Sequence, residues 1–394
     1  MIRIKNRVLL TFNKYRGSKI NRKIVVFESD DWGSIRMPSA EVYHKLLDNG
    51  IRVDKCHYSR YDSLANVEDF EMLFDILIKF KDVNGHHPVI TANAVVANPD
   101  FDKIRESNYQ QYFYEPFTET IKKYTNCSFE LWKQGMDEHI FHPQFHGREH
   151  LNVPRWMRAL QQNSKEMHLA FDCNMFGISS IISNEKNPSF MAALDADCSE
   201  DLFNQRLILE EGLTIFQDSF GYKSKSFIAP NYTWHSSIEN TLHQNNVLYL
   251  QGDAVQREPD LNGKTRSKFH FLGEQNANKQ IFLTRNCLFE PSSDKKTDWI
   301  SSCLKDIKTA FSAKKPAIIT CHRVNFIGGI DSENRKKNLN DFSILLTEIS
   351  IRWPDVEFMT TDQLGDLIKK ENETPMSLRF ANTNEDNSGV PSGN

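Results

Sequence analysis

The sequence has little that would mark a membrane-spanning, disulfide-rich or nucleic-acid-binding protein. The apolar run near its N-terminus, Val8 to Phe12, is too short for a signal peptide and far too short to span a bilayer. A formal net charge of −4 provides no basic field for nucleic acid. The seven cysteines are scattered, odd in number and without a CxxC pair, which favours reduced thiols over a disulfide framework. We therefore expect a cytoplasmic protein with no transmembrane segment and no nucleic-acid partner.

The 394 residues, 39% hydrophobic and 25% charged, are typical of a globular protein with a large core. Length alone suggests two or three domains, but barrels often run this long as one unit. We predict one domain at 21–370, with an insertion near 165–198. A basic leader at 1–20 precedes it; we expect this leader to be solvated, and peripheral contact with an anionic membrane surface is the alternative. A tail at 371–394, rich in Asn, Ser, Glu and Pro, is expected to be disordered.

The stretch FHPQFHGREH holds three histidines at four-residue spacing, His142, His146 and His150. Histidine is the commonest metal ligand. In one continuous strand, residues 146 and 150 would lie about 13 Å apart, at roughly 3.3 Å per residue. One ion needs each ring nitrogen at about 2 Å, so the chain must turn between them, and Gly147 permits a turn. Because Pro143 disfavours a helical turn before His146, we favour His146 and His150 as the metal-binding pair. His142 is then a supporting or alternative ligand, and satisfied structural histidines are the alternative reading.

Short apolar runs alternate with helical patterns along most of the chain. The expected strands are 23–27, 88–96, 138–145, 167–171, 226–230, 247–251, 281–287, 317–321 and 356–360. The expected helices are 39–49, 67–81, 117–134, 152–163, 199–220, 236–245, 298–313, 338–350 and 362–370. This alternation implies parallel strands joined by crossover helices. The predicted fold is an α/β protein with a distorted (β/α)7–8 barrel of the glycoside hydrolase and deacetylase type.

Chemistry in such barrels lies at the carboxyl ends of the strands. Several polar and aromatic residues follow the predicted strand ends, so we predict substrate contacts from Trp32, Tyr232, Trp234, His235, Arg285 and Arg323. The structural alternatives are core or rim aromatics for Tyr232 and Trp234, an ion-pair partner for Arg285, and a cap or a satisfied surface histidine for His235. The adjacent carboxylates Asp30 and Asp31 would raise one another's pKa unless a cation lies between them. An exposed acidic turn is the alternative there.

Together these motifs resemble the polysaccharide deacetylase superfamily (NodB-like, carbohydrate esterase family 4), over about residues 24 to 365. Asp30-Asp31 resembles its first motif, and His146 and His150 resemble its H-x-x-x-H motif. His322, which ends the apolar run Ile-Ile-Thr-Cys, resembles its last motif. The resemblance implies that Asp30 is the catalytic base and His322 the general acid. It also implies that Asp31, His146 and His150 bind the metal ion.

Three departures from the family pattern place the chain in a divergent branch. The first motif reads SDDWGS where the family has Phe-Asp-Asp-Gly. The third motif, usually Arg-x-Pro followed by Phe or Tyr, begins here with Ile228. The arginine that orients the base is therefore missing at that position, and Arg285, Arg148 or Arg323 are candidates to replace it. The Asp-Trp motif that usually follows is not evident.

The resemblance implies a metal-dependent hydrolase of carbon–nitrogen bonds other than peptide bonds. Its reaction would remove N-acetyl or O-acetyl groups from a carbohydrate in surface polysaccharide metabolism. Zinc is the simplest ion for two imidazoles and a carboxylate, although Co, Ni, Fe or Mn also suit them. One alternative is another metal-dependent glycan hydrolase on the same barrel, such as a glycoside hydrolase with paired carboxylates. The other is a non-catalytic carbohydrate-binding relative, which the missing arginine suggests.

Overall fold

The structure is a computed structural model, and it describes residues 16–126, 129–178, 181–183 and 190–373. Most of the predicted leader and tail, and part of the predicted insertion, lie outside the described residues. The end of the predicted leader is described and packs onto the domain. Its residue Ile20 is buried, and its backbone N–H donates to the Lys314 carbonyl at 2.8 Å.

The described chain contains thirteen strands. In chain order they are β1 (Lys23–Trp32), β2 (Ile90–Ala94), β3 (Ala97–Pro99), β4 (Tyr114–Pro116), β5 (Phe141–Phe145), β6 (Ser226–Ile228), β7 (Tyr249–Gly252), β8 (Val255–Pro259), β9 (Thr265–Phe269), β10 (Ile281–Thr284), β11 (Cys287–Leu288), β12 (Ala317–His322) and β13 (Val356–Phe358). Nine of them form one sheet in which every pairing is parallel, while β3–β4 and β8–β9 are separate antiparallel pairs.

Thirteen α-helices connect and cover these strands in the described chain. They are α1 (Ala40–Asp48), α2 (His57–Tyr61), α3 (Val67–Leu77), α4 (Phe101–Glu106), α5 (Phe117–Tyr124), α6 (Phe129–Asp137), α7 (Val153–Gln161), α8 (Lys165–Phe171), α9 (Ser199–Phe220), α10 (Glu239–Gln244), α11 (Trp299–Ser312), α12 (Ser332–Arg352) and α13 (Thr361–Glu373). Short 3₁₀ helices lie at Val53–Lys55, Pro230–Tyr232, Ser236–Ile238 and Arg323–Asn325. Within the described ranges, no helix is long and apolar enough to cross a membrane.

The parallel sheet closes on itself. Its strand order is β10-β7-β6-β5-β2-β1-β12-β11, and β13 pairs with the start of β1. The two ends of this order, β10 and β11, are consecutive in the chain and separated only by Arg285 and Asn286. One segment therefore pairs with β7 through its first half and with β12 through its second half. The predicted α/β fold with a mostly parallel barrel sheet is confirmed.

Alternate residues of β1 show how the barrel is filled. Ile24 and Val26 belong to a cluster of side chains from β7, β10 and β12, and α13 contributes Leu364 and Ile368 to it. Because side chains alternate along a strand, Glu28 and Asp30 continue on this inward face. The lower interior is thus apolar and the upper interior is charged. The intervening residues Val25 and Phe27 pack outward in the main core beneath the helices.

The local predictions fail where capping or turn chemistry decides the structure. The predicted strand at 167–171 is wrong, because Ser164 caps a helix there by accepting a hydrogen bond from the Met167 N–H. The predicted helix at 117–134 is two helices, α5 and α6. The strand predicted at 226–230 stops at Ile228, since Pro230 begins a 3₁₀ turn. The β3–β4 and β8–β9 pairs were not predicted.

Candidate metal centre and acid–base pair

A bulge at the end of β1 brings both aspartates into the barrel mouth. In a regular strand, Asp30 and Asp31 would point to opposite faces. The pairing of β1 with β2 shifts register between Ser29 and Trp32, and Asp31 has a φ of 75°. A non-glycine residue rarely adopts this left-handed conformation, and bulges commonly re-aim side chains beside active sites. The bulge lets two neighbouring carboxylates serve two different parts of one site.

The three predicted metal ligands converge. The Oδ1 atom of Asp31 lies 3.4 Å from Nε2 of His146 and 3.3 Å from Nε2 of His150. The chain turns between the histidines at Gly147, whose φ is 111°. All candidate ligand atoms lie within 4.8 Å of one another, and all three side chains are buried. One ion with bonds of about 2.0–2.2 Å can reach all three atoms.

The chemistry of these three side chains fits a divalent ion. The His146 Nδ1–H donates to the Ile228 carbonyl at 2.9 Å, which leaves its Nε2 lone pair free to bind a metal. Burial lowers the pKa of His150 to about 3, so this imidazole is neutral. Burial alone would raise the pKa of Asp31, but Arg36 and the imidazoles hold it well below its usual value. One carboxylate and two imidazoles are the donor set of a catalytic zinc site with an open position. The bound metal itself remains a prediction.

Asp30 is held by an arginine from the segment that closes the barrel. Arg285 donates from Nη1 and Nη2 to the two carboxylate oxygens of Asp30, each at 2.7 Å, and from Nε to Glu28 at 2.6 Å. The side-chain amide of Asn93 donates to Asp30 Oδ1 at 2.7 Å. Burial alone would raise the pKa of Asp30, but Arg285 and nearby histidines lower it to about 2. Asp30 is therefore ionised and fixed in orientation.

Of the three candidates for the missing arginine, Arg285 is the one that contacts Asp30. Arg148 instead pairs with Glu149 and Glu211. Arg323 is completely buried and donates two hydrogen bonds to Asp62, at 3.0 and 2.9 Å. The predicted substrate contact of Arg323 is wrong, because this side chain is completely buried against Asp62. Arg285 lies at the site, and its predicted substrate contact stays a prediction.

His322 ends β12 beside Asp30, as its position in the sequence predicted. Its Nδ1 lies 2.7 Å from Oε2 of Glu290, and its Nε2 lies 3.7 Å from Oδ2 of Asp30. Burial would lower the pKa of His322, but the Glu290 carboxylate and the two aspartates raise it to about 9. The imidazole is protonated at neutral pH. It donates from Nδ1 to Glu290 and presents the Nε2 proton to the site.

The three aromatic residues predicted to contact substrate lie in different surroundings. Trp32 lies in the main core and donates from Nε1 to Ser29 at 2.9 Å, so its predicted contact is wrong. Trp234 is likewise buried and donates to Glu239 at 3.2 Å, so its predicted contact is also wrong. Tyr232 is at the site, where its hydroxyl accepts a hydrogen bond from Arg285 at 3.2 Å.

Two of the predicted histidines serve other purposes. His235 caps a 3₁₀ helix, since its Nδ1 accepts from the Ser237 N–H at 3.1 Å. Its substrate contact stays a prediction. His142 lies four residues before His146 in the extended strand β5, about 13 Å away at roughly 3.3 Å per residue. Its Nε2 is 3.2 Å from Asp362 at the start of α13, so its predicted place beside the metal ligands is wrong.

Sequence reasoning missed four residues that complete the site: Glu28, Arg36, Asn93 and Glu290. A signal existed for Glu28, which lies two residues before Asp30 and therefore on the same face of β1. Asn93 lies on the next strand, and its pairing with Asp30 required the register of β1 and β2. Arg36 and Glu290 lie in connections, and a single sequence gives no sign of their partners.

No protein-family model matches the chain, and the search of curated protein sequences also finds no match. Among solved structures, the chain is similar to a protein from Mycobacterium smegmatis assigned as a polysaccharide deacetylase (12% identity, TM-score 0.41, covering 92% of this chain and 95% of that one). It is similar to another assigned polysaccharide deacetylase, from Pseudomonas aeruginosa PAO1 (9%, 0.45, 90% and 94%). It is also similar to Puue allantoinase (10%, 0.44, 90% and 92%). Likeness at this level says nothing about activity.

Proposed function

We propose that this protein is a metal-dependent hydrolase that removes acetyl groups from a carbohydrate, with N-acetyl groups as the first candidates. The observation that carries the proposal is a buried group of Asp31, His146 and His150 beside a separate acid–base pair. The pair is Asp30, with a pKa of about 2, and His322, with a pKa of about 9. Two adjacent groups whose pKa values are driven apart provide a base and an acid at the same pH.

The residues of this chain divide the reaction between them. A bound divalent ion supplies a Lewis acid and lowers the pKa of water from 15.7 to about 7. Asp30, ionised and held by Arg285, accepts a proton from the attacking water. His322 donates its Nε2 proton to the leaving nitrogen or oxygen, and Glu290 keeps the imidazole oriented and charged.

The arrangement favours this proposal over both alternatives. The non-catalytic alternative rested on the missing arginine, and Arg285 supplies the equivalent contact with Asp30. A glycoside hydrolase needs two carboxyl groups that flank the scissile bond. Here Glu28 shares Arg285 with Asp30, and Glu290 is bound to His322. The carboxylates are thus engaged in holding a base and an acid.

The proposal has four further parts. They are zinc as the ion, a carbohydrate as the substrate, a role in surface polysaccharide metabolism and a cytoplasmic location. The donor set supports zinc, since two imidazoles and a carboxylate are ligands of catalytic zinc. The substrate, its metabolism and the location rest on sequence features and the motif resemblance.

Metal analysis of the purified protein, combined with acetate release from N-acetylated and O-acetylated oligosaccharides, tests the proposal. We expect one divalent ion per chain and acetate release that a chelator abolishes and added zinc restores. Release of sugar without acetate would indicate a glycoside hydrolase. Sugar binding by the metal-loaded protein without any turnover would indicate a binding protein.

A further inference from the structure

Tyr58 lies across the site, on the short helix α2 within the connection from β1 to β2. Its ring meets that of His322 edge to face, with centroids 5.1 Å apart. The Arg36 guanidinium lies over the Tyr58 ring, 5.0 Å from its centroid. Arg36 in turn donates to Oδ2 of Asp31 at 3.0 Å. Tyr58 is therefore in contact with the proposed acid on one side and with the partner of a proposed metal ligand on the other.

The ring is held firmly but its hydroxyl is not engaged. The imidazole of His57 packs against Tyr58 with ring centroids 4.0 Å apart, on top of the contacts with Arg36 and His322. No residue in the described part of the chain forms a hydrogen bond with the Tyr58 hydroxyl. Tyr58 is half-buried, and its hydroxyl is not among the buried side-chain atoms that lack a partner, so a substrate can reach it. Burial and the nearby carboxylates of Glu290 and Asp31 raise the pKa of Tyr58 well above its usual value, so the hydroxyl keeps its proton.

We propose that Tyr58 is a further catalytic residue, whose hydroxyl donates a hydrogen bond to the acyl oxygen of the substrate. This inference rests on the proposed function, because it requires an acyl group between Asp30, His322 and Asp31. An acyl group held there would lie beside the His322 ring, against which Tyr58 packs with centroids 5.1 Å apart. A fixed donor aimed at the oxygen where negative charge develops stabilises the transition state more than the ground state.

The substitution Tyr58→Phe tests the proposal, because it removes the hydroxyl and keeps the ring that packs on Arg36 and His322. We expect kcat to fall about 10²–10³-fold, as for the loss of one oxyanion donor, with little change in KM and no change in metal content. The matched control is Tyr61→Phe, on the same helix, where the ring packs with Arg60 and Lys295 away from the site. Its activity should equal that of the wild type. A Tyr58→Phe variant within about threefold of wild-type kcat, or one that loses metal together with activity, overturns the proposal.

A binding measurement separates this inference from the proposed function. Acetate, the expected product, is titrated calorimetrically into the zinc-loaded wild type, Tyr58→Phe and Tyr61→Phe. We expect about 10-fold weaker binding only in Tyr58→Phe, as for one hydrogen bond to a charged group. If the wild type deacetylates no substrate, the proposed function fails, yet this pattern still supports Tyr58 as an acyl-oxygen donor. Equal affinities, or no binding to the wild type, overturn the assignment of Tyr58 even if deacetylation is demonstrated.

Discussion

Replacement of Arg285 by glutamine should cost this protein a large part of its stability. Arg285 donates three short hydrogen bonds to two carboxylates, Glu28 and Asp30, which are 0% and 4% exposed. Glutamine cannot reach both carboxylates and carries no charge. Breaking a buried ion pair by removing one partner typically costs about 3–5 kcal/mol, because a charge is left buried and uncompensated. We expect the free energy of unfolding of Arg285→Gln to fall by about this amount at pH 7.

The pH dependence of this loss identifies its cause. Without Arg285, the folded-state pKa values of Glu28 and Asp30 should lie above their unfolded values, since burial raises both. The folded variant then binds protons more tightly than the unfolded chain, so its stability recovers as the pH falls. In the wild type, the pKa of Asp30 is lowered to about 2. Its contribution to stability is therefore present above the unfolded pKa of about 3.9 and is lost as the pH falls toward 2.

Urea unfolding at pH 5 and pH 8, with metal content and turnover measured in parallel, checks this reasoning. The matched control is Arg335→Gln, another buried arginine that pairs with Asp69 and Glu68 and contacts no site residue named above. The control should be destabilised but should retain turnover per folded molecule, whereas Arg285→Gln should lose both. Adding Glu28→Gln to Arg285→Gln should restore part of the stability. A loss below about 1 kcal/mol at pH 8, or a loss that Glu28→Gln does not reduce, would refute the argument.

The remaining predictions concern four residues of the chain. His150→Ala should remove bound metal while His142→Ala retains it, as measured by elemental analysis. The reverse result would assign the metal-binding pair to His142 and His146. His322→Ala should keep its metal but lower amide turnover by about 10²–10⁴-fold, with much smaller losses on activated aryl acetates that need little protonation. Equal losses of turnover on both substrates would contradict the assignment of His322 as the acid. Loss of bound metal would indicate that His322 is a ligand. Glu290→Gln should lower the pKa of His322 from about 9, because Glu290 is what chiefly raises it against burial. The alkaline limb of the turnover–pH profile should then move to lower pH, since only the protonated imidazole donates, and an unmoved limb would contradict the pairing.

Local sequence periodicity was enough to predict the alternation of strands and helices, while the turn between His146 and His150 was predicted from Gly147 and the short span of one shared ion. These features depend on residues close together in the chain, such as Gly147 with its φ of 111°. The convergence of Asp30 and Asp31 was not predictable in the same way. The two-residue period of a strand would have sent one of them away from the site, and only the register of β1 against β2 produces the bulge.

The substrate contacts were predicted less well, because a position at a strand end does not decide which way a side chain points. Trp32 follows Asp31 directly, and the same bulge that turns the aspartate into the mouth leaves the tryptophan in the core with Phe70 and Phe141. Trp234 is also buried, and its indole N–H donates a hydrogen bond to Glu239. Large aromatic side chains gain most from burial, so a core position is their default when the backbone permits it.

Ile228 lies at the position where the motif resemblance predicts an arginine, and Arg285 contacts Asp30 from a different strand end. Ile228 ends β6, and its backbone carbonyl still accepts a hydrogen bond from His146, so this strand keeps its contact with the metal centre. The positive charge beside Asp30 is the guanidinium of Arg285, which directly follows β10 in the segment that pairs with both β7 and β12. Closure of the barrel brings that segment within two strands of β1, so an arginine there reaches the same carboxylate from another side. A buried carboxylate needs a cation at its oxygens, and in a closed barrel more than one strand end can supply it.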